Sequence, residues 1–162
     1  MKIKFIVPSW HYYADPFKHQ PYWELYYATH VKEGGHDVSI HDMRSQKKKF
    51  FFDRVKEIEE SDFYFFWIFK TGDAKEVYSI SKYLKEKYPK CITAAGGTHV
   101  DMCQEECKNY FDCVLFGPGE KNFLNIINDY KNKSLKKNYI SNYKDMPFRE
   151  TSYPDRSFLE HD

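Results

Sequence analysis

Two glycine turns offer the clearest chemistry in this chain: Ala94-Ala95-Gly96-Gly97-Thr98-His99, and then Phe116-Gly117-Pro118-Gly119-Glu120. Each closes a short apolar run and opens a polar, helix-compatible segment. Glycine tolerates positive φ and puts no Cβ in the way, so backbone N–H groups in such turns can approach a bulky or anionic ligand. Two further small-residue loops belong beside them, Pro8-Ser9-Trp10 and Thr71-Gly72-Asp73. The hydroxyls of Ser9, Thr71 and Thr98 can donate to amide or phosphate oxygens. Each glycine turn alone can equally be a tight entry into a helix capped by Thr98 or Glu120; four such loops on one edge favour a ligand. His99 reads either as a binding contact or as a polar residue at a helix start.

Other constellations are weaker. Cys103 and Cys107 share a CxxxC spacing, but Tyr110 stands where a third cysteine would complete the CxxxCxxC loop of radical S-adenosylmethionine enzymes. Val100, Cys103, Cys107 and Tyr110 instead suggest one apolar stripe along a helix, with free cysteine acting as a small hydrophobe. Cys91 and Cys113 fall in expected strands, and nothing implies an oxidising compartment. His11, His19, His30, His36, His41 and His161 share no metal-ligand spacing. There is no G-x-S-x-G elbow.

The loops need a scaffold, and strands alternate with helices along the chain. A first strand over 2–7 leads through an aromatic loop to a helix carrying Trp23, Tyr27, Ala28 and Val31, stopped by Gly34-Gly35. Residues 36–42 alternate as a second strand, and Phe51, Val55 and Ile58 mark the apolar side of a short helix. Phe63 to Phe69 is apolar throughout, as expected for a central parallel strand covered on both faces. Val77, Ile80, Leu84 and Tyr88 keep a helical period until Pro89. Strands at 91–95 and 112–116 follow, and Phe123, Ile126, Ile127 and Tyr130 give the closing helix a buried face. Five βα units with right-handed crossovers predict a doubly wound α/β fold. Its flavodoxin-like, Rossmann-like five-stranded parallel sheet has its switch point between strands one and three. The domain is expected over 1–132, with a polar extension or linker over 133–162.

At 162 residues the chain can bury a full core without disulfides or metal. A net charge of +1, from 25 basic and 24 acidic residues, gives no field to draw in nucleic acid or an anionic membrane. Lys47-Lys48-Lys49 and Lys131, Lys133, Lys136 and Lys137 read as solvated surface. No apolar stretch reaches the roughly 20 residues of a membrane span, and the amino terminus reads as a strand rather than a signal peptide. The expected location is the cytoplasm. Aromatic residues make up 19% of the chain, and their abundance points to no function by itself.

Gly34-Gly35-His36-Asp37-Val38 with Asp42, Ala95-Gly96-Gly97-Thr98-His99, and Phe111-Asp112 leading to Gly117-Pro118-Gly119-Glu120 resemble one family. It is the cobalamin-binding domain found at the amino terminus of cobalamin-dependent radical S-adenosylmethionine enzymes. The resemblance covers nearly the whole chain. A GGxH turn follows strand four in that family and a GEGE-like turn follows strand five. Pro147-Phe148 and Tyr153–Leu159 resemble the lead-in to a radical domain, expected where this sequence stops. Two departures stand out: Pro118 replaces the usual glutamate, removing a carboxylate and a backbone donor, and no DxHxxG occurs.

The resemblance implies cobalamin as ligand, with its tail displaced from cobalt and buried beside the sheet, and no histidine of the chain on the metal. Gly96, Gly97, Gly117 and Gly119 would let backbone approach the corrin side chains or tail, in turns completed by Gly72, Pro118 and Glu120. Ser9, Thr71 and Thr98 would bond amides or phosphate; Trp10 and Lys70 would pack near the corrin rim; His99 is a possible amide partner. The aromatic loop over 10–23 could close over the ring, meet a partner, or simply pack. The isolated chain is expected to carry the cofactor to a separate radical S-adenosylmethionine partner rather than catalyse. The competing readings are a flavodoxin-like adaptor or sensor without corrinoid, and a binder of another nucleotide-like ligand.

Overall fold

A computed structural model describes residues 1–44, 51–142, 144 and 153–159 of the chain. Lys47-Lys48-Lys49, Pro147-Phe148, His161 and the Phe51 side chain lie outside that description. The strands are β1 (Lys2–Val7), β2 (Asp37–Asp42), β3 (Phe63–Trp67), β4 (Ile92–Gly96), β5 (Cys113–Phe116) and β6 (Asn138–Ile140). All pair in parallel in the order β2-β1-β3-β4-β5-β6. This is the expected doubly wound, flavodoxin-like sheet, extended by a sixth strand beyond β5. The switch point falls between β1 and β3, where the connections leave for opposite faces.

Strand alternation sorts the core into two layers. Phe63, Phe65 and Trp67 face one side with Phe5, Ala94 and Leu115, covered by α1 (Tyr22–Glu33) and α6 (Gly119–Lys131) through Tyr27, Val31, Phe123 and Ile127. Tyr64, Phe66 and Ile68 face the other side with Ile6, Ala95 and Val114. There they meet α2 (Phe51–Lys56), α3 (Ala74–Lys87), α4 (Thr98–Met102) and α5 (Gln104–Cys107). Every residue of β3 is buried, as a central strand requires. Gly35, at φ +83°, lets the chain leave α1 in the left-handed conformation.

Three local outcomes differ from expectation. The stripe through Val100, Cys103, Cys107 and Tyr110 is not one helix: Cys103 leaves helical geometry (φ −121°, ψ 47°) and separates α4 from α5. Val100 and Cys107 are buried, while Tyr110 stays half exposed, its ring stacked on Tyr78 with centroids 3.9 Å apart. Tyr130, expected on the buried face of α6, is also partly exposed. Beyond α6, Asp155 of the 153–159 segment pairs with Lys32 of α1 at 2.9 Å, and its backbone N–H donates to Thr29 Oγ1. No helix among the described residues is long and apolar enough to cross a membrane.

Candidate functional site

At the switch point, the loop after β1, the loop after β3 and the first turn of α1 enclose a cleft of about 210 Å³. Its walls are aromatic, Trp10, Tyr12, Tyr13, Trp23, Trp67 and Phe69, with Glu24, Lys70 and Asp73 among them. Open α/β sheets bind ligands at this position, outside the carboxyl ends of the strands. Trp10 sits there at φ +50°, a conformation that costs a bulky residue about 1–3 kcal/mol. Arg44 holds the loop. Its guanidinium binds both Asp42 carboxylate oxygens, donates to the carbonyls of Pro16 and His19, and lies 5.0 Å and 5.1 Å from the centroids of Trp10 and Phe17.

The cleft carries two carboxyls held against ionisation. Burial pushes Glu24 up to about 8; neighbouring Asp73 adds to this and the Arg44 charge opposes it. Burial likewise raises Asp73 to about 6, while a hydrogen bond from Tyr12 works against the rise. Asp73 Oδ1 and the indole Nε1 of Trp67 are both buried without a hydrogen-bond partner. Lys70 places its ammonium 4.4 Å from the Tyr13 ring centroid.

The other sequence-predicted residues fall into separate groups. Trp10 and Lys70 line the cleft. Ser9 is tied to α3: its hydroxyl and backbone N–H donate to Glu76 at 2.5 Å and 2.7 Å. Thr71 Oγ1 lies 3.2 Å from His99 Nδ1, and a Cβ on Gly72 would touch the Tyr12 ring. Thr98 opens α4 on the exposed rim without a side-chain cap. His99 turns inward: it is 3% exposed, and its Nε2 sits 2.8 Å from the Tyr78 hydroxyl.

The glycines serve close packing. Gly97 has φ +107°, and a Cβ there would stand 2.7 Å from the Ile68 carbonyl oxygen. Gly117, at φ +75°, admits the Ser141 carbonyl of the segment after β6, and its N–H donates to Asp101. Pro118 stands at the N-cap just before α6, and its carbonyl accepts from the Ser141 hydroxyl. A Cβ on Gly96 would meet Trp67 and Leu115; one on Gly119 would meet Tyr27 and Phe123. Glu120 accepts from the Tyr26 hydroxyl at 2.8 Å through Oε1, and its buried Oε2 has no hydrogen-bond partner.

The family model described as B12 binding domain matches residues 15–127. The chain belongs to the B12-binding domain family. No curated protein matches it. Among solved structures, it is similar to the N-terminal domain of a hypothetical protein from Thermotoga maritima. That likeness has 23% identity and a TM-score of 0.49, and covers 80% of this chain and 99% of the other.

Whether this B12-binding domain fits a corrin differs above and below the rim. The unpartnered Trp67 Nε1 and Asp73 Oδ1 are complementary to a primary carboxamide, which both accepts and donates and is the group that fringes a corrin. Beneath the rim, the spaces left by Gly96 and Gly119 are filled by the domain's own rings. Glu24, Trp67 and Asp73 were not singled out as site residues from sequence. The acidic residue at the start of an aromatic helix was a usable signal for Glu24; for Trp67, in an unbroken apolar run, there was none.

Proposed function

We propose that this domain holds a corrinoid over its carboxyl rim and presents it to a separate radical S-adenosylmethionine protein in the cytoplasm. The observation that carries the reading is the aromatic cleft at the switch point with two unpartnered polar atoms, in a chain of the B12-binding family. One corrin carboxamide would accept from Trp67 Nε1 and donate to Asp73 Oδ1. Trp10 and Lys70 would pack against the ring edge. The backbone turns at Gly72, Gly97, Gly117, Pro118 and Gly119, with Gly96 and Glu120 behind them, would support its underside, and Thr71 and Thr98 would offer hydroxyls at the rim. Ser9 would hold the first loop against α3.

Bound cobalamin supplies cobalt-centred carbon transfer, and the chain's part is to seat and orient it. In this reading the nucleotide tail is off the cobalt and no histidine of the chain replaces it, since both ring nitrogens of His99 face Tyr78 and Thr71. The proposed unit is residues 1–132, followed by a polar extension or linker over 133–162, in which β6 pairs with β5 and Asp155 pairs with Lys32.

Titration with hydroxocobalamin and methylcobalamin, followed by absorbance and calorimetry, tests the reading: both should bind at micromolar protein. Binding of neither overturns it. A second reading, an adaptor without corrinoid, is favoured by the filled spaces beside Gly96 and Gly119. The same titration separates the two.

A further inference from the structure

The sheet face below the rim, between α1 and α6, is closed by a continuous aromatic cluster. Ring centroids are 4.4 Å apart for Tyr27 and Trp67, 5.1 Å for Tyr27 and Phe123, and 4.6 Å for Phe65 and Phe123. Trp23 caps the cluster 6.0 Å from both Tyr27 and Trp67. A Cβ on Gly96 would stand 2.7 Å from Trp67 Cζ3, and one on Gly119 would stand 2.8 Å from both Tyr27 Cε1 and Phe123 Cε2. The two glycines that could have opened a slot beside the sheet therefore make room for protein side chains.

The adjoining cleft does not supply that slot. At about 210 Å³ it is smaller than the roughly 300–1,000 Å³ of pockets that bury a drug-sized ligand, and Trp67 forms part of its wall. A nucleotide could enter beside β4 and β5 only by expelling Trp67 and Tyr27, both buried, from their mutual contacts. Interiors packed this closely change between discrete arrangements and do not yield gradually.

We infer that the domain grips a corrin ring and gives no seat to the nucleotide tail, with Trp67 as the specificity-determining residue. Cobalamin and the tail-less corrinoid cobinamide then bind alike. This rests on the corrinoid reading above and goes further, because it says which part of the cofactor is recognised.

Calorimetric titration of the full chain with hydroxocobalamin and with aquocobinamide tests it. Cobinamide should bind as tightly as cobalamin or more tightly. A preference for cobalamin of about fivefold or more overturns the inference and leaves the corrinoid reading standing. Binding of neither overturns the corrinoid reading and the inference together. Trp67→Ala removes the Nε1 donor assigned to the corrin carboxamide and should weaken both corrinoids, while the space it empties beside Gly96 should shift the ratio of affinities toward cobalamin by about tenfold. Tyr27→Leu opens the same space from α1 and serves if the first variant does not fold. A folded variant whose ratio of cobalamin to cobinamide affinity is unchanged overturns the assignment to Trp67.

Discussion

Trp67 lies edge-on against Gly96 of the neighbouring strand, with Cζ3 only 2.7 Å from where a Cβ would stand and Cε3 at 3.1 Å. One glycine hydrogen thus sets the position of the largest ring at the rim. Gly96→Ala should overpack this contact and destabilise the fold by about 1–3 kcal/mol. In a chain of this size each kcal/mol lowers Tm by roughly 2–4 °C. Adding Trp67→Leu should recover part of the loss, so a double-mutant cycle by thermal denaturation should show favourable coupling. Simple additivity would mean that the two residues do not share the space.

Gly97 and His99 lie two residues apart and should respond in opposite ways. The Ile68 carbonyl that faces Gly97 accepts from the His99 N–H at 3.1 Å, and the Ile68 N–H donates to Gly96 at 2.8 Å, so this backbone cannot move aside. Gly97→Ala should cost about 2–4 kcal/mol through its positive φ and the clash, and should weaken corrinoid binding by distorting the rim. His99→Ala takes a partner from the Tyr78 hydroxyl beneath the rim. It should lower stability while changing hydroxocobalamin affinity less than Gly97→Ala does, and leave the visible spectrum of the bound form unchanged. A shifted spectrum would place the imidazole on cobalt.

Arg44 joins the end of β2 to the aromatic loop by a fork that lysine cannot reproduce. Breaking a buried pair of this kind costs about 3–5 kcal/mol when one partner is removed. Arg44→Lys keeps the charge and should lose about half of that. Limited proteolysis should report the loss locally, with cleavage within residues 10–20 accelerated well before global unfolding. Equal protection of variant and parent would show that the loop is held by its aromatic contacts alone.

The main scaffold was legible because its signals are local. The apolar run of β3, the glycines after α1 and the 3.6-residue periods of α3 and α6 each lie within a few consecutive residues. Strand β6 gave no such signal: in Asn138-Tyr139-Ile140 only Tyr139 is buried, and Ile140 points to solvent. The site was half legible. Trp10 and Lys70 followed from being next to strand ends, whereas the seating of Trp67 on Gly96 depends on register between β3 and β4, which no short window contains. For the same reason a glycine awaiting a ligand and a glycine awaiting a ring look alike until the strands are paired.

Glu24 gives the cleft a pH dependence whose sign is fixed. Its carboxyl rises from an ordinary 4.5 to about 8 on burial, and Asp73 from 3.8 to about 6, with the Arg44 charge facing Glu24 and Lys70 facing Asp73. A carboxyl raised in the folded state holds its proton where the unfolded chain has released it. Folding stability therefore falls as pH rises through that window and levels off above the folded value. Urea denaturation of the wild type and Glu24→Gln side by side should show the wild type losing stability relative to the variant from about pH 4.5 to about pH 8, whatever His36 and His41, which burial holds low and which act with the opposite sign, add to both. Asp73 contributes only to the lower part, below about pH 6. Glu24→Gln, a neutral mimic of the protonated carboxyl, should abolish the decline above about pH 6 and exceed the wild type in stability above about pH 8. An unchanged slope in that variant would mean that Glu24 is already ionised in the fold and that the cleft is wetter than its walls imply.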